Sequence, residues 1–132
     1  MKKYIMNQTM SPVNSSSPIT TPLRIPLADA AVHHQSLLAG PPQNRALQSG
    51  QVNLAPGDSV HAHSTEEGEE LLIPLAGHGK VTFLGMDPLL LEPGSVLYVP
   101  PHTTHQVSNT GAEPLVYVYV YAAIPGEPDQ AD

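Results

Sequence analysis

The sequence predicts an all-β chain, a small barrel of short antiparallel strands, and three observations carry that prediction. Proline makes up 15 and glycine 10 of the 132 residues; proline stands at about twice its usual share, a density that punctuates strands and breaks helices. No stretch sustains an apolar period of 3.6 residues. Strict alternation does occur, most clearly at Leu115 to Tyr121, where Val116, Val118 and Val120 oppose Tyr117, Tyr119 and Tyr121. The length suits one domain with a modest core.

Taken in order, residues 1–20 are rich in Ser, Thr, Pro and Asn and are expected to be a flexible segment. Residues 21–45 are expected to form an arm and connector. Within it, Leu23, Ile25 and Leu27 alternate, and Thr21 to Leu27 could add a strand to its own barrel or to a partner's. Ala28 to Leu38, with Asp29 near its start and Gly40 at its end, is the one plausible short helix. Gly40-Pro41-Pro42 connects it to the barrel, residues 46–124, and residues 125–132 form an acidic tail. His33, His34 and His78 read as surface residues. In the last strand the plainer expectation puts the valines in the core and the tyrosines against a neighbouring sheet or subunit. The opposite parity would line the interior with phenols able to hydrogen-bond a ligand or donate a proton.

Two stretches carry chemistry. In the first, GDSVHAHSTEEGEELLIPLAG, His61 and His63 lie two apart and share a face if the segment is a strand. Pro56-Gly57 signals a turn before the pair, and Glu70-Leu71-Leu72-Ile73 opens a return arm after a polar loop containing Gly68. A carboxylate early on that arm can meet the two imidazoles. In the second stretch, GSVLYVPPHTTHQVSN, a strand runs from Gly94 to Val99, Pro100-Pro101 ends it, and His105 starts another. Imidazoles with a carboxylate suit iron, manganese, nickel, zinc or copper.

These residues resemble the two motifs of the cupin superfamily, G-x5-H-x-H-x3,4-E-x6-G followed by G-x5-P-x-G-x2-H-x3-N. His61, His63, Glu70 and Gly77 match the first; Gly94, Pro100, His105 and Asn109 match the second. The resemblance covers roughly residues 46–124 and implies a double-stranded β-helix, or jelly-roll, barrel with an extended N-terminal arm. It further implies one divalent transition metal ion held by His61, His63, Glu70 and His105. The spacing departs from the pattern in places. Gly57 lies four residues before His61 rather than six, and six residues separate His63 from Glu70. Counting forward from His63 selects Glu67, and counting back from Gly77 selects Glu70. Sheet pairing sets the return strand while a hairpin loop absorbs extra residues, so Glu70 is the expected ligand and Glu67 the alternative. His102 stands where the second motif has glycine. Pro74 interrupts an apolar run, which points to a bulge or an edge there.

The remaining features restrict function. A formal charge of -7 with five scattered Lys and Arg argues against nucleic acid and anionic membranes as partners. The absence of cysteine leaves only nitrogen and oxygen to hold a metal. No signal peptide or membrane span is legible, from which a cytoplasmic location is expected. Apolar walls are expected from Leu72, Val81, Phe83, Val96 and Val107, or from their neighbours if the strand parity is reversed. The implied activity is that of a metal-dependent enzyme on a small polar organic molecule, with Tyr119 or His102 as proton donor. A non-catalytic metabolite-binding barrel is the alternative. A homodimer formed by isologous pairing of sheets is expected as well.

Overall fold

The computed structural model describes residues 17–29 and 32–123, so the expectations for the first 16 residues and for the acidic tail lie outside the described residues. Nine strands follow one another: β1 (His34–Ala39), β2 (Leu47–Leu54), β3 (His63–Ser64), β4 (Glu69–Ala76), β5 (Gly79–Phe83), β6 (Met86–Leu91), β7 (Leu97–Val99), β8 (Thr104–Asn109) and β9 (Leu115–Ala122). They form a five-stranded sheet in the order β1-β2-β9-β4-β7 and a four-stranded sheet in the order β3-β8-β5-β6, with every pairing antiparallel. Their inner faces enclose one core built on Val52, Leu54, Leu72, Val81, Leu91, Val99, Val107 and Leu115, together with Tyr117 and Tyr119. This is the double-stranded β-helix architecture.

The alternation in β9 has the opposite parity to the plainer expectation. Tyr117, Tyr119 and Tyr121 are buried inside, and the valines between them are half-buried on the outer face. Two glycines make room for the larger rings. Gly50 is the register partner of Tyr119, and a Cβ at Gly50 would lie 2.5 Å from the Tyr119 hydroxyl. Gly68 offers Tyr121 the same clearance. Without these gaps the Tyr119 and Tyr121 rings could not occupy their places.

Three further expectations are corrected. The described residues contain no helix; the second half of the segment expected to be helical is β1. Pairing along the open edge of β2, with a bulge between Ser36 and Leu38, outweighs a weak local helix preference. Thr21 to Leu27 forms no strand. The chain there is an arm held by side chains instead. Gln51 accepts from the Ala28 amide at 2.8 Å and donates to its carbonyl at 3.0 Å, and Asn53 donates to the carbonyls of Asp29 and Val32. Both holding residues are buried on the outer face of β2. Finally, Val96 precedes β7 and is 54% exposed, so it is no part of the interior wall, whereas Leu72, Val81 and Val107 are buried. Pro74 sits where β4 shifts register against β9 and beyond the residues that β7 pairs, a place that tolerates its missing N–H. No helix among the described residues is long and apolar enough to cross a membrane.

Candidate metal centre

Three of the four residues expected to ligate a metal meet where the two sheets face each other. His63 on β3 and His105 on β8 are register partners, with ring centroids 4.6 Å apart in an edge-on arrangement. Phe83, the partner of His105 on β5, closes the other side of that ring. Glu70 enters from the opposite sheet, and one donor atom from each of His63, Glu70 and His105 lies within 4.8 Å of the others. His61 is exposed and is not one of the three. Glu67 is exposed on the loop before β4, while Glu70 is 1% exposed.

Hydrogen bonding fixes the orientation of both rings in the same way. His63 Nδ1 contacts the His61 carbonyl at 2.8 Å, and His105 Nδ1 contacts the Thr103 carbonyl at 3.0 Å. A carbonyl only accepts, so in each ring Nδ1 carries a proton and Nε2 points away from that bond. In His105 that Nε2 lies 2.9 Å from Glu70 Oε1. The two groups form a buried hydrogen bond, an ion pair when Nε2 is protonated, and Glu70 Oε2 is buried with no hydrogen-bond partner. An electron-rich buried pocket of this kind needs a cation to satisfy it, either a proton or a metal. The two imidazole nitrogens and the carboxylate form the donor set of a first-row divalent ion, so the residues fit the group.

The rim above the centre is tied together by Thr65, which is fully buried. Its hydroxyl donates to the Pro100 carbonyl at 2.6 Å and accepts from the Thr103 amide at 3.1 Å, while its carbonyl accepts from the Tyr121 hydroxyl at 2.8 Å. This joins the loop between His63 and Glu70 to the loop before His105. The His102 amide donates to the Glu66 carbonyl at 2.7 Å. Both residues have left-handed backbones, with φ of 54° at Glu66 and 55° at His102. That conformation explains the glycine of the motif pattern. A histidine in its place costs about 1–2 kcal/mol. His102 itself is exposed on the rim.

Tyr119 lies deeper, its hydroxyl 2.9 Å from His34 Nε2 and the two rings stacked 8° from parallel. His34 is therefore half-buried rather than a surface residue. Its position gave no sign of this, because its partner lies 85 residues further along the chain. Burial, then the charge of Glu70, pushes the Tyr119 phenol well above its ordinary value. It is a neutral hydrogen-bonding group throughout the physiological range. His33 and His78 are exposed, and His78 meets Glu92 at 2.9 Å.

Comparison with known proteins agrees with this architecture. A family profile described as "Cupin domain" matches residues 50–121. The glucose-6-phosphate isomerase of Pyrococcus abyssi is 34% identical over 70 residues, which cover 50% of this chain and 37% of that protein; the isomerase of Thermococcus gammatolerans matches to the same extent. The chain thus spans well under half the length of these curated relatives. Among solved structures, a cupin 2 conserved barrel domain protein from Salinispora arenicola superposes with a TM-score of 0.60 at 26% identity, over 80% of this chain and 89% of that one. A predicted oxalate decarboxylase from Thermotoga maritima gives 0.55 at 26% identity, over 58% and 66% of the two chains. With the profile covering more than half of the sequence and the same barrel in the neighbouring structures, this chain belongs to the cupin domain family.

Proposed function

We propose that the protein is a metal-dependent enzyme that acts on a small, oxygen-rich organic molecule inside the barrel. The observation that carries this reading is the buried Glu70, which lies 2.9 Å from His105 Nε2 and has a second oxygen without a partner. In this reading His63, Glu70 and His105 hold one divalent transition metal ion. When bound, such an ion supplies Lewis acidity at a substrate carbonyl or hydroxyl. The chain's own contribution is to fix both imidazoles through their Nδ1 protons, to exclude water with the Leu72, Val81 and Val107 walls, and to place neutral phenols around the ligand. The isomerase and decarboxylase named among the relatives and neighbours support chemistry at a carbon–oxygen group.

Elemental analysis of the untagged protein tests the centre. Near-stoichiometric metal is expected in the wild type and in His61→Ala, because His61 stands outside the cluster, and its loss is expected in His63→Ala and His105→Ala. Equal metal content in all four proteins would sink the assignment. A second reading, a non-catalytic metabolite-binding barrel, is favoured by one observation: Tyr119 is bonded to His34, and His102 is exposed on the rim. The reading also includes a homodimer. Its support is the apolar outer face, with the valines of β9 half-buried and Leu23, Leu27 and Leu75 exposed. A light-scattering mass equal to one 14.0 kDa chain would refute the dimer.

A further inference from the structure

The polar lining of the barrel is almost without formal charge. Glu70 is the one acid among the buried residues, and it is shared with two imidazoles. The other polar groups turned inward are phenols, the Asn109 amide and the His34 ring. Tyr117 and Tyr119 are held neutral by burial, with Glu70 adding to the effect. No lysine or arginine among the described residues reaches this interior. Lys80 alternates with buried Val81 and so points out of β5. Arg24 is exposed on the arm. Arg45 is exposed in the turn between β1 and β2, at the Glu70 end of the sheet, but β2 and β9 lie between that turn and β4.

The mouth has the opposite of a cationic clamp. The loops framing the centre, residues 65–68 and 100–103, carry exposed Glu66 and Glu67 and no lysine or arginine. His102 is the one other titratable side chain on them. A phosphate ester brings close to two negative charges at neutral pH. Proteins meet those charges with arginine, lysine or the amides of a helix N-terminus. The described residues contain no helix, and the rim carboxylates repel a dianion on its way in.

We propose that this barrel accepts an uncharged hydroxy-carbonyl compound, such as a free sugar, and discriminates against the corresponding phosphate ester. The inference rests on the reading of the interior as a metal-assisted ligand site and adds the substrate class. It separates this chain from the glucose-6-phosphate isomerases to which it is similar. Recognition needs no counter-charge, because a ligand hydroxyl can replace one partner in the Tyr119–His34 hydrogen bond.

The test compares glucose with glucose 6-phosphate, and fructose with fructose 6-phosphate, by ligand-observed NMR on the full-length metal-loaded protein. The free sugar is expected to bind at least about tenfold more tightly in one of the pairs. Glu66→Lys/Glu67→Lys should narrow that gap by about tenfold without changing free-sugar affinity, and added salt should narrow it too because the repulsion is screened. Equal or tighter binding of the phosphate ester in both pairs, or binding of no sugar at all, would overturn the proposal. Metal content measured on the same samples keeps the two readings apart. A wild type that takes up no metal defeats the proposed centre, whereas a loaded protein that prefers the phosphate ester defeats only the substrate class.

Discussion

Glu70→Gln is expected to give a metal-free barrel that is more stable than the wild type and can no longer be loaded. The carboxylate is buried, lies 2.9 Å from His105 Nε2 and leaves its other oxygen unbonded. An amide of the same shape keeps a hydrogen bond to His105 Nε2 and carries no charge, so it removes the buried carboxylate's cost. Leaving a buried polar group unsatisfied costs about 1–3 kcal/mol, and the amide should recover an amount of that order. The metal loses its one anionic ligand at the same time. Changes to groups that merely orient ligands lower metal affinity by about 10–100-fold, so removal of the ligand charge itself should reach at least about 100-fold. Chemical denaturation in chelator and a metal titration read the two effects separately. A variant that is destabilised without metal, or that binds metal as the wild type does, would show that Glu70 is an ordinary core carboxylate. Stability given up at one position for the sake of a site is a common trade in enzymes.

The second large effect belongs to Gly50. A methyl group there would lie 2.5 Å from the Tyr119 hydroxyl and 2.8 Å from two ring carbons, so the ring must leave its place beside His34. Overpacking of a filled core costs about 1–3 kcal/mol, and the broken hydrogen bond adds about 1 kcal/mol. Gly50→Ala should therefore destabilise the barrel by about 2–4 kcal/mol in denaturant unfolding. In a Tyr119→Leu background the same change should cost less than about 1 kcal/mol, because neighbouring substitutions that remove one clash do not add. An undiminished penalty in that background would place the cause elsewhere.

The same pair sets a pH dependence. Burial, with a smaller contribution from His33, holds His34 below its ordinary value of 6.5. The unfolded chain takes up the proton first. This contribution to stability is therefore complete above about pH 6.5 and is lost as the pH falls through that value toward the lowered folded one. His34→Gln should remove that part of the acid sensitivity, and denaturation midpoints between pH 7 and pH 5 will show whether it does.

The sequence disclosed the barrel because its signals are local. Gly57, Gly77 and Gly94, all with φ between 86° and 111°, mark turns, and β9 alternates without a break. The ligand-bearing stretches were legible from spacing for the same reason. What stayed hidden depends on residues far apart in the chain. Tyrosine and valine both suit a buried face, and the choice between them is made by Gly50 on β2 and Gly68 in the loop before β4. The Asn53 and Gln51 amides that hold the arm look like ordinary surface positions on an alternating strand. The two-residue spacing of His61 and His63 implied a shared face only within a regular strand. Here β3 begins at His63, so His61 lies before the ladder and the alternation does not apply to it. Glu70, by contrast, lies on β4 and is paired on both sides, with Val99 and Tyr121, so counting back from a turn glycine holds.

The place of β9 has a consequence for how the molecule is made. This last strand in chain order lies between β2 and β4, in register with eight residues of one and most of the other. During synthesis, β2 and β4 must wait for it, each without its neighbour on that side until residues 115–122 have left the ribosome. His63, Glu70 and His105 lie on both sheets, so the pocket they form cannot close before that moment. Loading with an ion is thus a step that follows the emergence of β9, and the shorter growing chain is spared a half-built chelator.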